Sequence, residues 1–274
     1  MKRQSGQIVL ITLLVLAVGV TVALSVIGRT TIDTSISGQV EESARAFSAA
    51  EAGIEEALRS GQGTAGAQVL TSGITYTTTV NALGGVIGDY KFPKKTPIAA
   101  TDTFWFVEHN ADGTISEIVT YGGDNIDICW SRGNPETAVV ISLLYRNSAD
   151  GTYQVARDAF DPDSSRADTN NFTKISSAST GCGLENVHKK TLSFASYSIQ
   201  PNQDILIALR FRPVYADAQF AFSSGSGLPL QGSRIESVGT TQTGVTRKVV
   251  VDNTYTSAPT LFDAAVYSQS SFGY

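Results

Sequence analysis

His109 and His188 are the two histidines of this sequence, and neither has a partner at metal-ligand spacing. No Gly-x-Ser-x-Gly elbow offers a hydrolase nucleophile. Asp161, Asp163 and Asp168 cluster with Asn170 and Asn171. Hard oxygen donors at such spacing can hold calcium, although the spacing does not match an EF-hand loop. Solvated turn carboxylates are the plainer reading, and calcium at Asp161–Asn171 stays open at this point. Asp112 and Asp150 each precede a glycine, where aspartate forms turns by bonding its own backbone. Cys129 and Cys182 are the two cysteines, and neither lies in a Cys-x-x-Cys pair. An even count in an exported chain suggests one disulfide, with two buried thiols as the alternative. The pattern predicts no catalytic residue, no cofactor and no metal ligand; the chain reads as something other than an enzyme.

The elements that must carry these residues begin with an unusual N-terminus. Lys2 and Arg3 precede an uncharged stretch from Gln4 to Gly28. Ile8 to Ile27 is almost wholly aliphatic, small or threonine, and about 20 such residues cross a bilayer. The basic flank keeps the N-terminus cytoplasmic and exports the rest, although Arg29 is basic too. From there Ile32, Ile36, Val40, Ala44, Phe47, Ala50, Ile54 and Leu58 recur every three or four residues, the stripe of an amphipathic helix. Gly61 and Gly63 stop it. A single proline-free helix from Gln7 to Leu58 would be roughly 78 Å long. Ile36, Val40, Phe47, Ile54 and Leu58 are the expected helix-packing residues, with Phe47, Ile54 and Leu58 in particular expected on the chain's own sheet, and part of the stripe is expected also to meet neighbouring subunits at another height on the rod. Two competing readings are a signal peptide cut near Ala23-Leu24-Ser25 and a simple membrane anchor.

Three local features resemble type IV pilins and pseudopilins, in particular minor pilins with a PilX-like N-terminus. They are the short basic leader ending at Gly6, the apolar run from Gln7, and the segment Arg45 to Leu58. That segment contains Ala46-Phe47-Ser48-Ala49-Ala50-Glu51-Ala52, similar to the family's AFxAAEA signature. The resemblance covers about residues 1–60. It implies cleavage between Gly6 and Gln7 by a prepilin peptidase, residence in the cytoplasmic membrane, and assembly with other pilin subunits. Ile11 stands where major pilins place a glutamate. A carboxylate in lipid is costly unless paired, and a subunit with no neighbour above it gains nothing from one. Ile11 therefore favours a minor or tip subunit, and it equally weakens the case for assembly.

Downstream the chain is rich in Thr, Ser and Gly, and its formal charge is −5. No basic patch with interleaved aromatics supports nucleic-acid binding. Strands are expected at Ile74–Val80, Thr103–His109, Thr114–Tyr121, Ala138–Arg146, Thr152–Phe160, Thr191–Ile199, Ile205–Phe211 and Gln219–Phe222. Tight turns are expected at Asn110–Gly113 and Ser148–Gly151. Residues 161–183 read as a long surface loop. A last hairpin, Arg234–Val238 and Val245–Asp252, is expected to pair with Ile74–Val80 and cover the helix.

The predicted fold is α+β: a long N-terminal helix, membrane-spanning in its first half, on a small antiparallel sheet with an inserted β-sandwich. The expected parts are a leader (1–6), the membrane half of the helix (7–28), its amphipathic half (29–60), a pilin-like sheet (61–98 and 225–274) and the sandwich (99–224). The expected function is a pilin-like structural subunit of a type IV pilus or related secretion pseudopilus. It would be single-pass in the cell membrane before assembly and at the cell surface after it, presenting its β-region for adhesion or fibre contacts. The alternatives are a permanently anchored β-sandwich binding module and a secreted binding domain.

Overall fold

The computed structural model of this chain describes residues 5–110 and 112–263. The fold is α+β, with one long N-terminal helix and strands gathered in three sheets. The chain divides into two units. One runs to Val80 and adds Ile235–Val251; the other takes Asn81–Arg234 and the residues from Asp252 onward.

In the first unit, helix α1 is unbroken from Ser5 to Ser60, 56 residues or about 84 Å. Gly61 ends it at φ +70°, a left-handed conformation that glycine adopts without a Cβ clash, and its N–H returns to the Ala57 carbonyl at 2.8 Å. Strands β1 (Gln68–Thr71), β2 (Ile74–Gly84), β13 (Leu230–Thr241) and β14 (Thr246–Thr254) form one sheet in the order β1-β2-β13-β14. The expected neighbour relation between the late hairpin and the strand beginning at Ile74 is therefore present. The helix contributes Ile54 and Ala57 to a cluster with Ile235, flanked by Val80, Val249 and Val251.

The second unit is a sandwich of two five-stranded sheets. One runs β3 (Ile87–Lys91), β12 (Phe220–Gly227), β5 (Asn125–Ser131), β10 (Leu184–Ser193), β9 (Ser177–Gly181). The other runs β4 (Asp102–Trp105), β11 (Ile205–Val214), β6 (Ala138–Arg146), β7 (Tyr153–Asp161), β8 (Thr173–Lys174). Its ladders are antiparallel except for the short parallel pair β7–β8. Alternate residues point inward, as the two-residue period of a strand requires. Ile126, Ile128 and Trp130 meet Val139, Ile141, Phe211, Phe220 and Phe222 in one core. Phe211 lies 5.1, 4.4 and 5.3 Å from the rings of Phe92, Phe220 and Phe222, within the range of favourable aromatic pairs.

Several sequence expectations need correction. The hairpin of Thr103–His109 with Thr114–Tyr121 shrinks to an isolated bridge between His109 and Ile115, and Ala111 of its turn lies outside the described residues. Strand β4 instead pairs with β11, and Phe106, Val107 and Tyr121 are drawn into the interior one by one. The Tyr121 hydroxyl bonds the Asn125 carbonyl at 2.6 Å and Ser224 Oγ at 2.5 Å, anchoring that stretch without a ladder. The supposed loop 161–183 contains helix α2 (Ser164–Asn170) and strands β8 and β9. Asp163 caps α2 by accepting from the Ser165 and Arg166 N–H groups at 3.0 and 3.1 Å. Strand β3 pairs with β12 in the sandwich rather than with the small sheet. Strand β10 begins at Leu184 and ends at Ser193, where a 3-10 turn over Phe194–Tyr197 takes over.

Candidate functional site

The first candidate surface is α1 itself. Residues from Ile8 through Ile27 form an apolar helix long enough to cross a membrane, and among the described residues none of that stretch is buried. Threonines interrupt it and follow it, yet their hydroxyls are satisfied within the helix. Thr12, Thr21 and Thr30 donate to the carbonyls of Ile8, Val18 and Val26 at 2.7, 2.8 and 2.9 Å. A span in hydrocarbon needs its polar groups satisfied internally, and these back-bonds supply that. Gly6 and Gln7 lie in the helix; residues 1–4 of the expected leader, Lys2 and Arg3 among them, lie outside the described residues.

Farther along, Ile36 and Val40, two of the expected packing positions, are exposed. Ile54 is buried at 6 % exposure, but Phe47 and Leu58 are 45 % and 49 % exposed, so the expectation that these two pack on the sheet is wrong. The face that meets the sheet is made of Ala46, Ala49, Ala50, Gly53 and Ala57. At about 100° per residue, Ala46, Ala50, Gly53 and Ala57 fall within roughly 60° of arc. Phe47 and Leu58 lie roughly a quarter-turn away, and Ile54 sits at the rim. Small residues bring the strand backbone close to the helix. A Cβ added at Gly239 of β13 would fall inside the Ala46 carbonyl oxygen and 2.7 Å from the Ala50 nitrogen. The sequence holds the signal for this seam, small residues at helical spacing, but large apolar residues draw the eye first.

Polar bonds fix the same helix to the β13–β14 hairpin and to β2. Thr243 Oγ1 donates to Glu42 at 2.6 Å and Arg247 Nε to Ser43 Oγ at 2.8 Å, and the Tyr76 hydroxyl donates to Glu56. The Thr243 and Thr241 hydroxyls hold the Glu42 carboxyl below its ordinary value. Truncating Phe47 to alanine is therefore expected to change stability by less than about 1 kcal/mol, rather than the ~3–5 kcal/mol of a fully buried ring. Thermal unfolding of the full chain in detergent checks this, and a large drop in midpoint would contradict the exposed placement.

The other sequence candidates resolve into structural roles. Cys129 of β5 and Cys182 in the β9–β10 turn form a disulfide. Asp161 is fully buried and accepts from Arg166 Nε and Nη2 at 2.8 and 2.6 Å and from Asn170 Nδ2 at 2.9 Å. Burial pushes its carboxyl up, but the Arg166 and Asn170 bonds outweigh that and leave it below the usual range. Asp163 serves as the α2 cap, and Asp168 pairs with Lys174 at 2.6 Å. Among the described residues no three His, Cys, Asp or Glu side chains converge to hold a metal. Asp112 and Asp150 form turns as expected, accepting from the N–H groups of Thr114 and Thr152 at 3.0 and 2.9 Å.

One constellation has no local sequence signal. His188 is fully buried, with Nε2 2.7 Å from Glu136 Oε2 and Nδ1 3.2 Å from Ser177 Oγ. Ser177 faces it across the β9–β10 ladder. Burial lowers the imidazole's pKa against the opposing pull of Glu136. A neutral ring that donates from Nε2 and accepts at Nδ1 fits both contacts. The order hydroxyl, imidazole, carboxylate is that of a nucleophile and its base, but such a relay also needs oxyanion donors and a substrate cleft. What the contacts supply is a polar tie between β9, β10 and the Glu136 loop. Comparison with known protein families, with curated proteins and with solved structures finds no match to this chain.

Proposed function

We propose that this chain is a pilin-like structural subunit, minor or tip, of a type IV pilus or a related secretion pseudopilus. In this reading the apolar half of α1 holds the subunit in the cytoplasmic membrane before assembly. Its N-terminus faces the cytoplasm and both β-bearing units are exported. A prepilin peptidase removes residues 1–6, and other pilin subunits then cover the helix. The β-rich domain presents a surface for adhesion or fibre contacts. The observation that carries the reading is the unbroken 56-residue helix. Its apolar first half, and then Ile32, Ile36, Val40, Phe47 and Leu58, remain exposed among the described residues. An anchor needs only the membrane-spanning half; a continuous apolar stripe beyond it calls for protein neighbours.

A second reading, a permanently anchored binding module, draws on Ile11, which leaves the helix without the carboxylate used by major pilins. N-terminal sequencing of the native protein separates the two. A chain beginning at Gln7 is expected, and Gly6→Ala should abolish that processing by placing a side chain where a peptidase approaches bare backbone. An intact Met1 would support the anchor, and a start near Val26 would support a secreted domain.

A further inference from the structure

The outer face of the β4-β11-β6-β7-β8 sheet gathers positive charge. Arg210 of β11 stands opposite Ser142 of β6, which stands opposite Arg157 of β7. Arg212 lies two residues along from Arg210, opposite Val140. Residues two apart on a strand share a face, so these side chains point away from Ile141 and Phe211, which belong to the core. The three arginines line one cleft of about 230 Å³, with Ser142 and Asp263 also in its wall. All of its lining residues belong to the second unit. Like charges gathered on one face repel unless a counter-charge sits among them.

The chain supplies that counter-charge to one arginine. The 3-10 turn over Thr260–Asp263 seats the Asp263 carboxylate on Arg210, which donates to it from Nε and, at 3.0 Å, from Nη2. Arg210 is then spent: it also donates to Thr103 Oγ1 at 3.3 Å and to the Ala258 carbonyl at 2.8 Å, and its side chain is 13 % exposed. Burial pushes the Asp263 carboxyl up, but the bonds from Arg210 and the charges of Arg210 and Arg212 hold it below its ordinary value. Arg157 gives a single bond, from Nη2 to the Asp263 main-chain carbonyl at 3.3 Å. Among the described residues the Arg212 guanidinium and the Ser142 hydroxyl make no hydrogen bond. Arg157 is exposed and Arg212 half-buried, so a solute reaches both heads. Three arginine charges against one aspartate leave a net charge of +2 in the wall. A phosphate monoester carries about −1.5 to −2 at neutral pH and three strong acceptor oxygens. Guanidinium forks present paired N–H donors to such oxygens. The volume exceeds the roughly 150 Å³ that admits a benzene ring, which is room for a phosphoryl group with water around it. A single carboxylate would leave one of the two positive charges unmatched.

We propose that this cleft binds a phosphoryl dianion, held by the Arg157 and Arg212 guanidinium groups with the Ser142 hydroxyl as a further donor. Arg210 stays with Asp263. The site belongs to the second unit and does not rest on the fibre reading. Free phosphate and a phosphate monoester share the chemistry, and the test separates them. It uses the full chain in a non-ionic detergent, in phosphate-free buffer at constant ionic strength. Calorimetric titration is run with inorganic phosphate and with glycerol 3-phosphate, and with acetate as the control. Saturable binding of at least one phosphate is expected. Arg157→Gln and Arg212→Gln should each weaken it at least tenfold, the loss of a charge-assisted hydrogen bond. Arg132→Gln removes the same charge from an exposed position outside the cleft and should leave the binding unchanged. Tighter binding of glycerol 3-phosphate would assign an ester, and equal or tighter binding of inorganic phosphate the free ion; both support the site. Because the Arg212 head has no hydrogen-bond partner among the described residues, Arg212→Gln should leave the ligand-free melting temperature unchanged or higher. Phosphate should raise the melting temperature of the parent and raise that of Arg157→Gln less, so a variant on a second strand reads the site if one fails to fold. The proposal is overturned by absence of saturable binding at tens of millimolar phosphate, by acetate binding as tightly as phosphate, by undiminished binding in either glutamine variant of the cleft, or by an equal loss in Arg132→Gln.

Discussion

Loss of the Cys129–Cys182 bridge is expected to lower the stability of the β-sandwich by about 4 kcal/mol. The bridge closes a loop across a sequence separation of 53, and chain-entropy reasoning gives that magnitude for a loop of this length. For a unit of this size the melting temperature should fall by roughly 8–16 °C. The half-cystines sit among Leu184, Val187 and Ala221, so a reductant reaches them slowly. The comparison is therefore best made between the parent and a Cys129→Ala, Cys182→Ala double variant, which keeps the site apolar. Mass spectrometry after alkylation without reductant establishes that the parent carries the bridge. A shift of less than about 2 °C would mean that the ladders β5–β10 and β10–β9 already hold the loop closed in the unfolded ensemble.

Gly239→Val is expected to cost about 3 kcal/mol or more, at or beyond the upper end of ordinary overpacking. At most sites a new side chain displaces the flexible tip of another. Here it meets the Ala46 carbonyl and the Ala50 nitrogen, which are helix backbone and cannot rotate aside. The helix must lift from the strand, which uncovers Ile54, Ala57 and Ile235. Hydrogen exchange should show lost protection in β13 and in the last turns of α1, with the sandwich unaffected. Gly38→Ala is the control: a Cβ there meets nothing within 4 Å, and the substitution should stabilise the helix by up to about 1 kcal/mol. Equal behaviour of the two variants would refute the close seam.

Both predictions rest on features that the amino-acid sequence announces only in part. The helix was legible throughout, because an uncharged run followed by apolar residues every three or four positions has one economical solution, and Gly61 marks its end. Strands β6 and β7 and the Asp150 turn were legible for the same local reason. Strand β5 carries the alternation Ile126, Ile128, Trp130, a two-residue period that is present in the sequence itself. Pairing of the two cysteines followed from their number, but their placement against β9 and β10 did not.

The tertiary structure alone decided which face of α1 is covered. Residue hydrophobicity pointed to Phe47 and Leu58, whereas close approach of a strand backbone selected Ala46, Ala50, Gly53 and Ala57. Distance of approach depends on the partner surface, and the partner lies nearly two hundred residues away in the chain. The same holds for β3, whose neighbour β12 is set by long-range pairing that no local pattern encodes. The contacts of His188 with Ser177 and Glu136, and the cleft lined by Arg157 and Arg212, arise only when distant strands and loops meet. Local periodicity determines which elements form; shape complementarity between elements far apart in sequence determines which of their residues are buried, bonded or left free.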